Sequence, residues 1–504
     1  MIEIERERRA RYLRTCRVLV LVSTATAVFY LSWLLFQAPP ANPVLFRLLL
    51  AAELFNITQA AGFWYTIWNQ RWNDPPDADF SRSAERVDAF VTVCGEPAAI
   101  VEPTVRAVTA IRHPRLKVWV LDDGQAPEIE AIARDCGAKY VTRTDRKGAK
   151  AGNINHALGV THGDFVVIFD ADHVPFPSFL ERTIPCFGRT DVAYVQTPQV
   201  YRNRGVNRVA AGAHAQQSLF YGPIMRGKDA LGAGFSCGTN VVFRRAALQD
   251  VGGIPEDSVT EDLRISLLLG RLGWSALYLS EVLAQGFGPV DVKGYFSQQK
   301  RWAVGALDIL LRRRPFHRGM RFGQAAQYFL SFMYWFNGWA YASYIILTLS
   351  FLLFGLQPTP ARNEYPIHFL PYVFATLFTI IYAAGFTLRF SGLWFTLASF
   401  PVQISALVDA VFRRSSRFAV TSKVGGGTSL RPVRVQAATV ALLVAAIPVA
   451  LLRAGLTPSV VNNIAFAAGH ILILSGFVRL ALRPEPRGDE ARALRLEQLE
   501  SEAR

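Results

Sequence analysis

The sequence predicts a mostly parallel α/β domain held between membrane-spanning helices. Three observations predict it. Six apolar segments are long enough to cross a bilayer, the stretch between the second and third alternates strand-like and helix-like runs, and arginine and lysine gather in the loops on one side. Composition agrees: 51% of the 504 residues are hydrophobic, yet 18% are charged.

A span takes about 20 apolar residues. The candidates are 18–36, 44–66, 325–355, 367–388, 435–453 and 460–480. The first does not read as a cleaved signal peptide, because a second span follows after a short loop and no small-residue cleavage site is present. Residues 1–17 hold Arg6, Arg8, Arg9, Arg11, Arg14 and Arg17. The loop before the fifth span holds Arg413, Arg414, Arg417, Lys423, Arg431 and Arg434, and the tail adds Arg483 and Arg487. The opposite loops hold only Arg362, with Arg453 at a helix end. This excess predicts a multi-pass protein of the plasma (inner) membrane, with both termini and residues 67–324 cytoplasmic. A further apolar run, 390–412, would reverse the basic loop if it crossed. It reads instead as an amphipathic helix along the interface, with Asp409 and Gln403 on its wetter face.

The expected organisation follows. A basic N-terminus (1–17) leads into two spans (18–66) and a cytoplasmic domain with interfacial helices (67–324). Two spans (325–388), an interfacial helix with a loop (389–434), two more spans (435–480) and a tail (481–504) complete it. The net charge of +15 suits the cytoplasmic face of a membrane and calls for no nucleic acid. Cys16, Cys94, Cys136, Cys186 and Cys237 are scattered without CxxC spacing, which implies no disulfide framework and a reducing compartment.

Within 86–300, RVDAFVTVCGE, KVWVLDDG, AKYVTRTD, DFVVIFDADH and VAYVQTPQ read as buried strands ending in polar residues. PAAIVEPTVRAVTAI, EIEAIARDC and KAGNINHALGV have helical periodicity between them. Such an order gives a mostly parallel sheet, and ligands bind outside the carboxyl ends of its strands.

Each polar strand end admits two readings. Asp170 and Asp172 alternate along an extended chain, so they either flank a divalent cation on a diphosphate or make turn and cap hydrogen bonds. Asp122 and Asp123, before Gly124, either contact a base or ribose or shape a turn. Thr260 reads as an N-cap, and Glu261 and Asp262 in the following turn either complement the helix dipole or aim a general base at a cavity. Lys147 and Lys150, among small residues, either meet phosphates or lie in a solvated loop. FSQQKRWAVG places Gln298, Gln299, Lys300, Arg301 and Trp302 shortly before a span, either as a binding cluster or as an interfacial tryptophan with snorkelling cations.

The order of these pieces resembles the processive family-2 glycosyltransferases, which have a GT-A catalytic domain. DDG at 122–124, KAGN at 150–153, DADH at 170–173, FSCGTN at 235–240, TED at 260–262 and QQKRW at 298–302 come in sequence. RFAVTSK, 417–423, is similar to the gating loop of cellulose synthases. The resemblance implies Mg²⁺ or Mn²⁺ on Asp170 and Asp172. It implies Asp262 as general base beside Glu261, and donor contacts from Asp122, Asp123, Glu96, Lys150 and Asn153. It puts His173, Cys237 and Gly238 near the acceptor, which Gln298 and Trp302 would cradle while Arg301 helps the pyrophosphate leave. Phe418, Val420, Thr421 and Lys423 would close over a UDP-sugar.

What the resemblance implies is an inverting synthase that polymerises glucose from UDP-glucose into a β-glucan and moves it across the membrane. Its partners would be the UDP-sugar donor, the growing polysaccharide, the lipid bilayer and a periplasmic or regulatory protein. A chitin- or hyaluronan-type synthase using UDP-N-acetylglucosamine or two donors stays open, as does a nucleotide-binding transporter or receptor. No GxxxxGK[ST] phosphate loop is present to power such a pump. The family often has a tyrosine where Cys94 stands, FSCGTN departs from the cellulose-synthase form, and the residues after Arg483 are too few for a PilZ domain.

Overall fold

The computed structural model describes residues 2–75, 84–205, 207–360, 364–385, 390–413 and 429–483. Among these, six helices are long and apolar enough to cross a membrane: Ile4–Phe36, Pro43–Trp68, Phe322–Phe354, Glu364–Ala383, Arg431–Ala454 and Pro458–Leu482. The local sequence sets their ends. Asn42 accepts from the Val44 and Leu45 amides, with Pro43 at the first helical position. Gly355 ends the third span at φ +74°, which a residue with a Cβ adopts at a cost. The first span packs on the fourth, the fifth on the sixth, and the third against the second, fifth and sixth.

Within the run 390–412 stand two short helices, Gly392–Ala398 and Phe400–Val411, bent by 46° at Ser399, with Pro401 in the first turn of the second. The second lies along the helix Val292–Arg312. Lys300 Nζ meets Asp409 Oδ2 at 2.7 Å, and the Arg312 guanidinium donates to the Ala410 carbonyl. Gln403 does not sit on a wet face as expected. It is 2% exposed and turned into an internal cavity, because this helix packs on its neighbours rather than floating at an interface.

Between the second and third spans lies the α/β domain. Its strands are β1 Val87–Val93, β2 Leu116–Asp122, β3 Lys139–Val141, β4 Phe165–Asp170, β5 Val174–Pro175, β6 Val192–Gln196, β7 Val200–Tyr201, β8 Val241–Arg244, β9 Ser275–Tyr278 and β10 Ala284–Gly286. Seven form one sheet in the order β3-β2-β1-β4-β8-β6-β9, and β5-β10-β7 form a smaller one. In the large sheet β8 alone runs antiparallel to its neighbours. Both faces of the sheet are covered. Val87, Ala89 and Val91 join one core with Val101, Val105 and Ile129, while Phe90, Val166 and Ile168 join the other with Ile154 and Ala157. Burial on two sides is why these strands read as unbroken apolar runs rather than as alternating ones.

This topology makes the site. The carboxyl ends of β2, β1 and β4 lie side by side, so Asp122, Glu96 and Asp170 meet at one edge of the sheet. The antiparallel β8 pairs Val241 with Ile168, which brings the preceding 238–240 loop to the end of β4.

Candidate active site

Asp170 stands where β4 ends. Its amide donates to Thr239 Oγ1 at 2.9 Å, and its carboxylate receives the Lys150 ammonium. Lys150 opens the helix Ala149–Val160 and also donates to the Gly238 carbonyl at 2.7 Å. Burial opposes the Lys150 charge, but the carboxylates of Asp170, Glu261 and Asp262 outweigh it and hold the ammonium above its ordinary range.

Asp170, Asp172 and His173 have ligand atoms within 4.8 Å of one another. The histidine stands behind the carboxylates. Its Nδ1 meets Asp172 Oδ1 at 3.1 Å, while Nε2 is buried against Gly286, where a Cβ would stand 2.3 Å away. His173, expected near the acceptor, pairs here with Asp172. Glu96 is partly buried nearby, and its Oε2 accepts from the Cys94 amide at 2.6 Å. Burial raises the Glu96 carboxyl, and Asp172 and Asp170 add to the rise.

The DDG segment turns inward. Asp122 is fully enclosed and accepts from Gly124 N at 2.7 Å, Ala126 N at 2.9 Å and Tyr140 Oη at 2.9 Å. Asp123 takes both arms of the buried Arg143 guanidinium, at 2.7 and 2.8 Å. Asp122 thus makes the turn contacts that one of its two readings expects. Asn153, expected at the nucleotide-sugar, is buried and donates to the Leu121 carbonyl at 3.0 Å. It braces the end of β2.

Asp262 sits in the first turn of the helix Glu261–Arg271. Thr260 holds the N-cap position but makes no capping bond. Asp262 Oδ1 instead accepts the Leu263 amide at 2.7 Å. The other oxygen faces Gly238, whose φ of +79° and missing Cβ let it approach, since a Cβ there would lie 3.3 Å away. Burial pushes the Asp262 carboxyl up to about 7, the Glu261 charge adds to this, and Lys150 and Arg301 oppose it. The Cys237 amide donates to Gln196 Oε1 at 2.7 Å, and burial with the Asp262 charge raises its thiol.

The helix Val292–Arg312 starts at Asp291, which accepts the Gly294 amide at 2.6 Å. It carries Trp302 to the wall of a cavity shared with Asp262 and Cys237. Gln298, expected at the acceptor, bonds Tyr201, and Gln299 lines the cavity. On a helix, adjacent residues cannot share a face.

The cavity, about 880 Å³, continues from Asp262 and Trp302 through the membrane helices to Asn462, Asn463 and His470. Buried polar atoms on its wall lack partners among the described residues: Glu53 Oε1, Gln217 Oε1, Gln327 Nε2, Gln357 Oε1, Thr376 Oγ1 and Gln403 Nε2. Sequence reading missed this wall. The signal was Glu53, Asn56 and Gln59 recurring inside an otherwise apolar span. Lys228 also lines it, donating to Gln327 O and Ser331 Oγ at 2.7 Å each. Phe418, Val420, Thr421 and Lys423 lie outside the described residues.

The fold is an α/β domain of the GT-A type, set between helices long and apolar enough to cross a membrane. Residues 85–305 match the model described as glycosyltransferase like family 2. The chain is similar to bacterial cellulose synthases. Cellulose synthase 1 of Komagataeibacter xylinus is 33% identical over 369 residues, 70% of this chain and 23% of that protein. The UDP-forming cellulose synthase catalytic subunit of Komagataeibacter sucrofermentans is 31% identical over 436 residues, 83% of this chain and 58% of that one. This chain therefore spans about a quarter to three-fifths of these relatives' length. A mannosyltransferase from Pyrobaculum calidifontis, solved with GDP-mannose and Mn²⁺, superposes with a TM-score of 0.55 at 18% identity, over 74% of this chain and all of its own.

Proposed function

We propose that the chain is a processive, inverting β-glucan synthase that takes glucose from UDP-glucose and passes the polymer through its own membrane helices. One observation carries this reading: the cavity that begins beside Asp262 and Trp302 runs on, walled by unpaired hydrogen-bonding groups, into the spans. A sugar chain has polar rims and apolar ring faces, and aromatic rings interleaved with orphaned amides suit both.

Asp170 and Asp172 would hold Mg²⁺ or Mn²⁺, since close paired carboxylates suit a hard cation. Bound there, the cation would neutralise charge on the diphosphate. Lys150 ties down Asp170 and adds a second positive charge at that end of the pocket. Asp262, its proton affinity raised toward neutrality, takes the proton from the acceptor hydroxyl as that oxygen attacks the anomeric carbon. Trp302 stacks on the terminal sugar and so fixes the attacking hydroxyl. Arg301, close enough to Asp262 to oppose its protonation, stabilises the departing UDP. The arginine-rich flanks support a cytoplasmic site and both termini inside.

The test is purified protein in nanodiscs, offered UDP-glucose, UDP-N-acetylglucosamine, UDP-glucuronate and UDP-galactose singly and in pairs, with Mg²⁺ or Mn²⁺. UDP release with UDP-glucose alone, giving a long product cut by a linkage-specific glucanase, supports the reading. Turnover only with an amino sugar or a donor pair moves the protein to the chitin or hyaluronan side.

A further inference from the structure

The first and second spans part along one side. Between them runs a groove of about 630 Å³, from Val20 and Trp68 at one end to Leu31 and Ile57 at the other. Val28 and Ala61 line its middle and are exposed. The groove shares no lining residue with the cavity that begins at Asp262, so it stands apart from the catalytic path. Val20 to Leu31, and Ile57 to Trp68, each cover about 16 Å of helix. A bilayer's hydrocarbon core is about 30 Å thick, so the groove is one leaflet deep. A partner's spanning helix would need a seat about twice as long, whereas a single acyl chain fits the depth.

The mouth of the groove is aromatic and cationic. Arg17 lies over the Trp68 ring, its guanidinium carbon 5.5 Å from the centroid. It reaches the Trp68 carbonyl only at 3.4 and 3.5 Å, long for hydrogen bonds. Arg14 stands one turn earlier on the same helix face. The acids near this end, Glu5 and Asp74, pair with Arg9 instead. Among the described residues no carboxylate meets Arg14 or Arg17. From this charge and this depth we infer that the groove seats one acyl chain of an anionic phospholipid, whose phosphate is held by Arg14 and Arg17. A zwitterionic lipid brings its own cation to the two arginines and binds more weakly. The lipid fills the seam between the two spans and ties them together.

The test uses the full chain, delipidated in detergent, with dioleoylphosphatidylglycerol, dioleoylphosphatidylcholine or inorganic phosphate added. Native mass spectrometry counts lipids retained, and the unfolding temperature reads binding by linkage. One phosphatidylglycerol retained per chain, with a saturable rise in unfolding temperature, is expected. Arg14→Gln with Arg17→Gln should weaken that binding roughly thirtyfold. Ala61→Phe fills the groove and should abolish it; should that variant not fold, the arginine pair decides. Arg434→Gln, at the start of the fifth span, should leave it within twofold. Equal stabilisation by phosphatidylcholine, or by phosphate alone, overturns the site. So does a loss in Arg434→Gln matching that of the arginine pair, which would mean diffuse surface charge. Full binding in Ala61→Phe overturns it too, as does a two-chain species that forms only when lipid is absent, since a second copy would then own the groove.

Discussion

Gly305 lies directly against Thr260: a Cβ on the glycine would stand 2.4 Å from Thr260 Cγ2. The contact joins the helix that carries Trp302 to the start of the helix that carries Asp262. One turn separates Gly305 from Trp302, and Thr260 stands two residues before Asp262, so this approach couples the positions of the two cavity-lining side chains. Gly305→Ala must push the two helices apart. Overpacking of this kind costs about 1–3 kcal/mol, and a displacement near 1 Å at a reacting centre costs about a hundredfold in rate. We expect polymer formation to fall at least tenfold while UDP affinity, measured by calorimetry, stays within twofold.

Asp262 gives the pH dependence its sign. In its proposed role as the base it must be ionised, so kcat/KM should rise as pH passes about 7 and flatten above it. Stability runs the other way. A carboxyl that binds its proton more tightly when folded costs nothing below its ordinary pKa of 3.8, and its burial cost grows until the pH passes about 7. Asp262→Asn carries no charge to bury. It should abolish polymer formation and unfold at a higher temperature than wild type, by a margin that widens from pH 5 to pH 8. A margin that narrows over that range would contradict the assignment.

Lys150 serves two oxygens at once, the Asp170 carboxylate and the Gly238 carbonyl. Lys150→Met removes the positive charge and leaves Asp170 facing Glu96 and Asp172 uncompensated. Loss of a charge-assisted contact is worth about 1.5–3 kcal/mol, or roughly 10- to 100-fold. The expected outcome is a KM for UDP-glucose raised by that factor and a steeper dependence on added Mg²⁺. Chelation with EDTA should silence wild type, with recovery on adding Mg²⁺ or Mn²⁺.

Much of this was written in the sequence, because a two-sided parallel sheet advertises itself. Buried strands are continuous apolar runs, and their polar ends are where ligands sit, so Asp170, Asp172, Lys150 and Asp262 were legible. What escaped is what depends on the direction a side chain takes after the strand stops. Asp122 and Asp123 look alike in the chain, yet one caps a turn and the other pairs with Arg143, twenty positions on. Gln298 and Gln299 are neighbours in sequence but sit about 100° apart on a helix, and periodicity alone did not say which faced inward. Glu53 was hidden by hydropathy itself, since one carboxylate barely dents a window of about 20 apolar residues.

The Arg143–Asp123 pair carries its own test. Both side chains are almost wholly buried, and Arg143 also donates to the Lys147 and Ala149 carbonyls at 2.6 and 2.7 Å. The pair thus ties the end of β2 to the loop that launches Lys150. Removing one partner of a buried pair leaves the other charge unpaired and costs about 3–5 kcal/mol. Arg143→Met should lower the unfolding temperature markedly and weaken UDP binding together. Loss of UDP binding at unchanged stability would instead mean that Asp123 meets the nucleotide directly.

Trp302 separates binding of the donor from growth of the chain. It shares the cavity wall with Asp262 and Cys237, whereas Lys150 and Asp170 meet each other at the end of β4, where the proposed reading puts the donor. An indole face stacked on a sugar ring orients the acceptor hydroxyl but touches no part of the nucleotide. Trp302→Ala removes that platform and leaves a void at the mouth of the channel. Elongation, read as mean product length and steady-state UDP release, should fall about ten- to a hundredfold, since orientation of the attacking group is what is lost. UDP affinity should remain within twofold of wild type. Trp302→Phe, which keeps a smaller apolar face, should recover part of the rate. Were UDP affinity and elongation to fall by the same factor in Trp302→Ala, the tryptophan would be packing the Val292–Arg312 helix onto the domain, and the acceptor platform would have to be sought in Trp335 or Tyr334, which line the same cavity further into the spans.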